Sequence, residues 1–416
     1  MKVLWISNTI FPDACLELGI KAPVIGGWMQ SGANALLEQE SDIDLAVVSL
    51  YSGKGIKFID KYRIKYYLVP TGGNDQSYDK QKEKNYAHVF NHFNPDIIHI
   101  HGTEYPHSLA AANAYKSNHF VVSIQGLVSS YCNYYYGGID SETIGKHTTL
   151  RDIIRHDTLR CQQKRMKERG DYEISLLKKA IHVIGRTSWD RSSVWAQNPT
   201  ATYHFCNETL RQPFYEKKWD YDNCNKHSIF LSQANYPIKG GHILLQALPL
   251  ILRQFPDTVV YIAGHNPIHK KWYSTNAYSA YLRHLIEKLE IQGVLKFVGL
   301  LNESQMADYY VKSNVFVCPS SIENSPNSVG EAQLIGTPVV ASYVGGTMDM
   351  IEDGETGFLY RFEEYPLLAE LICKLFSSRT LCETISHKAQ KVAHERHNGI
   401  KNAKCLISIY HEILEK

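Results

Sequence analysis

The chain has 416 residues, 44% of them hydrophobic, which suits two domains with buried cores and excludes a single small module. Its formal net charge of +2 gives no field that argues for nucleic acid as a partner. Nine scattered cysteines without CxxC spacing read as reduced, cytosolic thiols and exclude a disulfide scaffold or zinc ribbon, and no run reaches the roughly 18 to 20 apolar residues that span a bilayer.

Taken in chain order, residues 2–7 (KVLWIS) predict a first buried strand rather than a secretion signal. A helix is expected over Trp28 to Gln39, followed by the strand-like runs LAVVSL, IIHIHG, FVVSIQG and IHVIG. Residues 206–227, polar and aromatic without clear periodicity, mark a boundary. A second series follows, SIFLSQ, VVYIAG, LKFVG, VFVCPS and PVVAS, with helices expected over His242 to Gln254 and Tyr278 to Glu290. Strands alternating with helices predict an α/β protein of two Rossmann-like, doubly wound domains facing across a cleft. The expected divisions are residues 1–207, a linker at 208–226, residues 227–399, and a C-terminal helix at 400–416 that packs on either domain, the N-terminal one included.

Within the second series, residues 320–346 (SSIENSPNSVGEAQLIGTPVVASYVGG) place carboxylates at Glu323 and Glu331 around a helix start. Ser325 is expected at the N-cap and Pro326 at the first helical position, with Gly336 and Pro338 ending the helix. Such a helix start, pointing beyond a strand's carboxyl end, suits a phosphate or sugar hydroxyls. Glu331 lies where it would accept from a ribose diol, and Gly345-Gly346 is expected to offer amides as an anion nest.

The run ENSPNSVGEA, with its two glutamates, resembles the signature of family 4 retaining glycosyltransferases, which have the type B glycosyltransferase fold (GT-B). GGWMQSGANAL, NPDIIHIHG, SQANYPIKGG, FVGLLNESQMADYY and EDGETGFLY extend the resemblance over nearly the whole chain. It implies transfer of a hexose-type sugar from a nucleoside diphosphate to a glycan or lipid-linked acceptor, in the making of cell-surface polysaccharide. By the resemblance, Glu323 contacts donor-sugar hydroxyls, Asn324, Ser325, Pro326 and Asn327 line the sugar and distal phosphate, and Glu331 holds the ribose. Lys239 takes the diphosphate, and Gly26 and Gly27 close over the nucleotide. The family often carries an arginine where Gln233 stands, and a histidine where Gln125 stands, so Gln233 is expected as a donor contact and Gln125 as a sugar-hydroxyl contact.

His101, ending IIHIHG, joins Glu323, Lys239 and Gln125 as a candidate for the chemistry, against the plainer reading of a structural histidine. Arg186, Tyr134 and Tyr135 are expected in the acceptor half, Arg186 as an acceptor or phosphate contact and the tyrosines as stacking or packing rings. Asp42-Ile43-Asp44 and Asp220-Tyr221-Asp222 spell DxD but read as solvated carboxylates, and no metal or cofactor is expected. Arg151 to Glu173, basic with helical spacing, reads as a solvated helix, with docking on an anionic inner membrane surface as its other reading. A sugar-nucleotide epimerase, a phosphorylase and a non-catalytic glycan-binding protein stay open, whereas a nicotinamide dehydrogenase is disfavoured because no GxGxxG follows a first strand.

Overall fold

The computed structural model describes residues 1–23, 26–72, 76–268 and 271–415. It divides into two compact units, the first formed by residues 1–132, 165–210 and 397–416 and the second by residues 133–164 and 211–396.

The first unit carries an eight-stranded sheet. Its strands are β1 (Lys2–Ser7), β2 (Asp44–Tyr51), β3 (Lys57–Ile59), β4 (Lys65–Pro70), β5 (Ile97–His101), β6 (Phe120–Ser123), β7 (His182–Gly185) and β8 (Thr202–Phe205). They lie in the order β3-β4-β2-β1-β5-β6-β7-β8, parallel throughout except for β3 against β4. Strand side chains alternate between faces, and both faces are covered. Leu4, Ile6, Ile98 and Ile100 enter one core, while Val3, Trp5 and Ile97 enter the other, which explains why these strands read as continuous apolar runs. The C-terminal helix Gly399–Leu414 closes the second of these cores with Ile409, Tyr410 and Ile413, and the Trp5 indole N–H donates to the Tyr410 hydroxyl at 2.8 Å.

The second unit has six parallel strands, β9 (Asn225–Leu231), β10 (Val259–Ala263), β11 (Leu295–Gly299), β12 (Ser313–Cys318), β13 (Val339–Ser342) and β14 (Phe358–Tyr360), ordered β11-β10-β9-β12-β13-β14. The fold class expected from the sequence is therefore present, with two doubly wound parallel sheets. Three of the expected helices appear within two residues of their predicted ends, as Gly27–Gln39, Gly241–Gln254 and Ala277–Lys288.

The division of the chain differs from the expected one. Residues 133–164 belong to the second unit, because the Ser321 hydroxyl donates to the Tyr134 carbonyl at 3.0 Å, His242 Nε2 donates to the Gly137 carbonyl at 2.8 Å, and the Ala277 N–H donates to Asp152 at 2.7 Å. The expected linker is no free connector. Its aromatic residues anchor it, with Phe214 and Trp219 buried and the Trp219 indole N–H donating to the Ser313 carbonyl at 2.8 Å. The basic stretch from Arg151 breaks into helices Leu150–Ile154 and Leu159–Lys179, and two of its acids, Asp152 and Glu173, are fully buried rather than solvated. Among the described residues no helix is long and apolar enough to cross a membrane.

Candidate functional site

In open parallel sheets, ligands bind beyond the carboxyl ends of the strands where the strand order reverses. In the second unit that point lies between β9 and β12. The turn Pro237–Lys239 follows β9, and the loop carrying Glu323 follows β12. The two loops meet closely. A Cβ on Gly240, whose φ is +64°, would lie 1.6 Å from the Pro319 carbonyl oxygen, so only glycine lets the backbones approach. This contact brings Lys239 Nζ to 2.5 Å from Glu323 Oε1, which also accepts from the Ser320 hydroxyl at 2.7 Å. Burial works against the Lys239 ammonium, but the Glu323 carboxylate, assisted by Tyr236, outweighs it and raises the proton affinity.

The helix after this loop spans Asn327–Ile335, with Pro326 as its N-cap and no side-chain hydrogen bond closing the cap. The expected cap, Ser325, instead turns its hydroxyl to the Met350 sulfur at 3.6 Å, because extended backbone at Pro326 delays the helix by one residue. The first turn's N–H groups and the positive end of the helix dipole thus lie beside Asn324 and Asn327. Gly345-Gly346 serves the loop rather than forming an anion nest. The Gly346 N–H donates to the Glu323 carbonyl at 3.0 Å, and a Cβ on Gly345 would come within 1.9 Å of that oxygen.

Glu331 sits inside the helix, buried and salt-bridged to Arg211 at 2.9 Å, and it accepts from the Tyr310 hydroxyl at 3.2 Å. Burial pushes its carboxyl above the usual range, while Arg211 pulls against that shift. Arg211 went unnoticed in the sequence because it lies in the stretch taken for a linker. Gln233 lies on the loop after β9, half-buried.

In the first unit, Gly26 takes φ +84° as the N-cap of Gly27–Gln39. His101 ends β5, Gln125 follows β6, and Arg186 follows β7; these three line one pocket. Arg186 is almost wholly buried, ion-paired with Glu208, and donates to the Ile124 carbonyl at 2.8 Å. Its charge is therefore spent within the protein, which removes the expected phosphate contact. His99 is buried, held by the Tyr410 hydroxyl at 2.7 Å and Ser123 Oγ at 2.6 Å, and burial with Arg186 nearby lowers it to about 3.

The two tyrosines do not join this group. Both belong to the second unit; Tyr135 is buried with its hydroxyl donating to Gln162 at 2.6 Å, whereas the Tyr134 ring is 49% exposed. The DxD acids are also placed elsewhere, Asp44 paired with Lys65 at 2.8 Å and Asp222 with Arg379 at 2.7 Å.

One carboxylate at this edge gave no sequence signal beyond standing three residues after IIHIH. Glu104 accepts from the Gly126 N–H at 3.2 Å and from the Asn8 amide at 3.4 Å, so it bridges the ends of β1, β5 and β6. Burial, reinforced by Glu173, raises it to about 7, while backbone N–H groups and Arg169 oppose the shift.

Known proteins resemble this chain in two ways. Spore coat protein SA of Bacillus subtilis is 31% identical over 176 residues, which covers 42% of this chain and 45% of that protein. The capsular polysaccharide biosynthesis glycosyltransferase CapM of Staphylococcus aureus is 33% identical over 113 residues, 27% of this chain and 30% of the relative. These matches span less than half the length of either relative. In structure, sucrose-phosphate synthase of Thermosynechococcus elongatus aligns over 100% of this chain and 99% of its own, with a TM-score of 0.72 at 16% identity. HepE of Anabaena, in complex with UDP and glucose, aligns over 99% and 100% with a TM-score of 0.66 at 17% identity. Those likenesses show the fold, the two-domain type B glycosyltransferase class. Residues 213–392, which bear Lys239, Glu323 and Glu331, match the family model described as glycosyl transferases group 1, with Arg211 just outside the match.

Proposed function

We propose that the protein is a retaining glycosyltransferase of family 4, moving a hexose-type sugar from a nucleoside diphosphate to a hydroxyl of a glycan or lipid-linked acceptor in polysaccharide biosynthesis. The observation that carries this reading is the Lys239–Glu323 pair at the β9/β12 switch point, beside a helix start and within the matched region. As the bond to the anomeric carbon breaks, negative charge gathers on the leaving diphosphate. Lys239, 22% exposed at its side chain, and the N–H groups at the start of Asn327–Ile335 stabilise that charge. Glu323, freed from part of its hold on Lys239 by the arriving phosphate, accepts hydrogen bonds from donor-sugar hydroxyls. Glu331, kept in place by Arg211 and Tyr310, receives the ribose diol. Structural neighbours in complex with UDP, or with UDP and glucose, support a uridine nucleotide as the first donor to try.

No metal or cofactor enters this scheme, so turnover should withstand a strong chelator. The proposed setting is the cytoplasm, with peripheral contact at the inner membrane surface. That contact is supported by Leu150, Ile153 and Ile154, each more than half exposed on one short helix beside Arg155. The deciding experiment measures release of nucleoside diphosphate and the anomeric configuration of the product with UDP-glucose and a panel of glycan acceptors. An inverted product would sink the retaining assignment, and epimerisation without acceptor or phosphate-dependent product would favour the rival reactions. Glycan binding with no response to any nucleotide would leave a binding protein.

A further inference from the structure

We propose that the pocket at the carboxyl ends of β5 to β8 in the first unit binds a neutral, hydroxyl-bearing group of a sugar or polyol, with His101 as its contact residue. That the group belongs to the acceptor rests on the transfer reaction proposed above; that the pocket takes neutral hydroxyls does not.

The pocket holds about 60 Å³, enough for a hydroxymethyl group or an edge of a sugar ring. His101 is 6% exposed, and neither ring nitrogen has a hydrogen-bond partner in the protein. Its ring is fixed by packing, against the Trp5 ring at a centroid distance of 4.4 Å and stacked on His99 at 3.7 Å. A buried polar ring with both nitrogens unmet is costly unless something enters to satisfy it.

The chemistry of that something follows from charge. Burial, with His99 and Arg186 close by, pushes His101 well below its usual range, so the ring is neutral and offers one N–H and one lone pair. A sulfate accepts but does not donate, a phosphate brings a negative charge that no free cation in the pocket offsets, and a lysine-like cation donates but does not accept. A hydroxyl does both. Arg186 does not change this balance, because its side chain is 4% exposed and already neutralised by Glu208. Of the other polar lining, Ser123, Gln125, Asn207, Thr209 and Asn402 are uncharged and likewise able to serve hydroxyls, and Glu208 is the carboxylate already paired with Arg186.

Gly32 gives a clean way to close the pocket. It lines the wall from the helix Gly27–Gln39, and a Cβ added there meets no atom within 4 Å. Replacing a helical glycine also favours the helix, so Gly32→Leu should fold. The experiment records histidine ring ¹⁵N signals of the whole chain during titration with glycerol, D-glucose, D-galactose and N-acetyl-D-glucosamine, and separately with inorganic phosphate and sulfate. His101→Asn identifies the signal. At least one neutral probe should shift the His101 resonances saturably, with binding about tenfold weaker in Gly32→Leu. Shifts produced by phosphate or sulfate and not by the neutral probes would overturn the proposal, as would no shift with any neutral probe up to its solubility limit. A parallel thermal titration with UDP separates the two readings. Sugar binding without a UDP response removes the transferase and leaves the pocket, whereas a UDP response without sugar binding does the reverse.

Discussion

The two sheets share a doubly wound central strand order and differ in how they treat charge at the carboxyl ends of their strands. In the second unit a reachable cation, Lys239, stands beside a helix start, and its side chain is 22% exposed. In the first unit the comparable cation, Arg186, is 4% exposed and locked to Glu208, the histidines are held neutral by burial, and Glu104 has its proton tightened. On the readings proposed above, one edge receives an anion and the other uncharged hydroxyls. A parallel sheet therefore determines where a ligand binds, and the solvent access of a few ionised groups decides which ligand it is.

The largest effect expected from this contrast falls on the charged edge. Lys239→Ala should lower turnover about 100- to 1000-fold with the fold intact, as loss of a group that stabilises developing charge does. Steady-state kinetics with circular dichroism as the folding control reads it, and a loss under tenfold would remove Lys239 from the charge-stabilising role.

Stability comes next. Arg211→Met strands Glu331, a buried carboxylate, and should cost about 3 kcal/mol in chemical denaturation, with much of the loss recovered in the double variant Arg211→Met/Glu331→Gln. Equal stability of the single variant and wild type would mean that Glu331 is not charged there.

On the neutral edge, Glu104 makes a prediction about pH. Its folded-state value of about 7 lies above the ordinary 4.5, so the folded chain holds this proton more tightly than the unfolded chain. The stabilisation is complete below about 4.5 and lost as pH rises to about 7, at most about 3 kcal/mol. Glu104→Gln, which mimics the protonated form, should flatten the fall in Tm across that window. A wild-type profile with the same slope as the variant would contradict the assignment.

The smallest change serves as a contrast to all of these. Asp44→Asn breaks a partly exposed pair with Lys65 and should shift stability by less than about 1 kcal/mol without altering turnover.

Much of this was legible before any coordinates. Short apolar runs alternating with helical stretches announced both sheets, since a strand buried on both faces leaves a continuous apolar mark. Glu323 and Glu331 stood out because they flank a helix start in a short, ordered stretch, and Lys239 through the family resemblance of SQANYPIKGG. Arg211 and Glu104 did not, because each acts through a neighbour distant in sequence, Glu331 in one case and Asn8 and Gly126 in the other. Tyr134 and Tyr135 misled for the same reason, since the packing of their segment against Ser321 and His242 leaves no local pattern.

By itself, the sequence determined the strand and helix alternation and the two-sheet architecture, because periodicity is a local property. Only the tertiary structure decided which unit owns residues 133–164, which acids lose their water and which cations stay exposed. Burial and ion pairing depend on what the fold brings within a few ångströms, and no spacing along the chain records that.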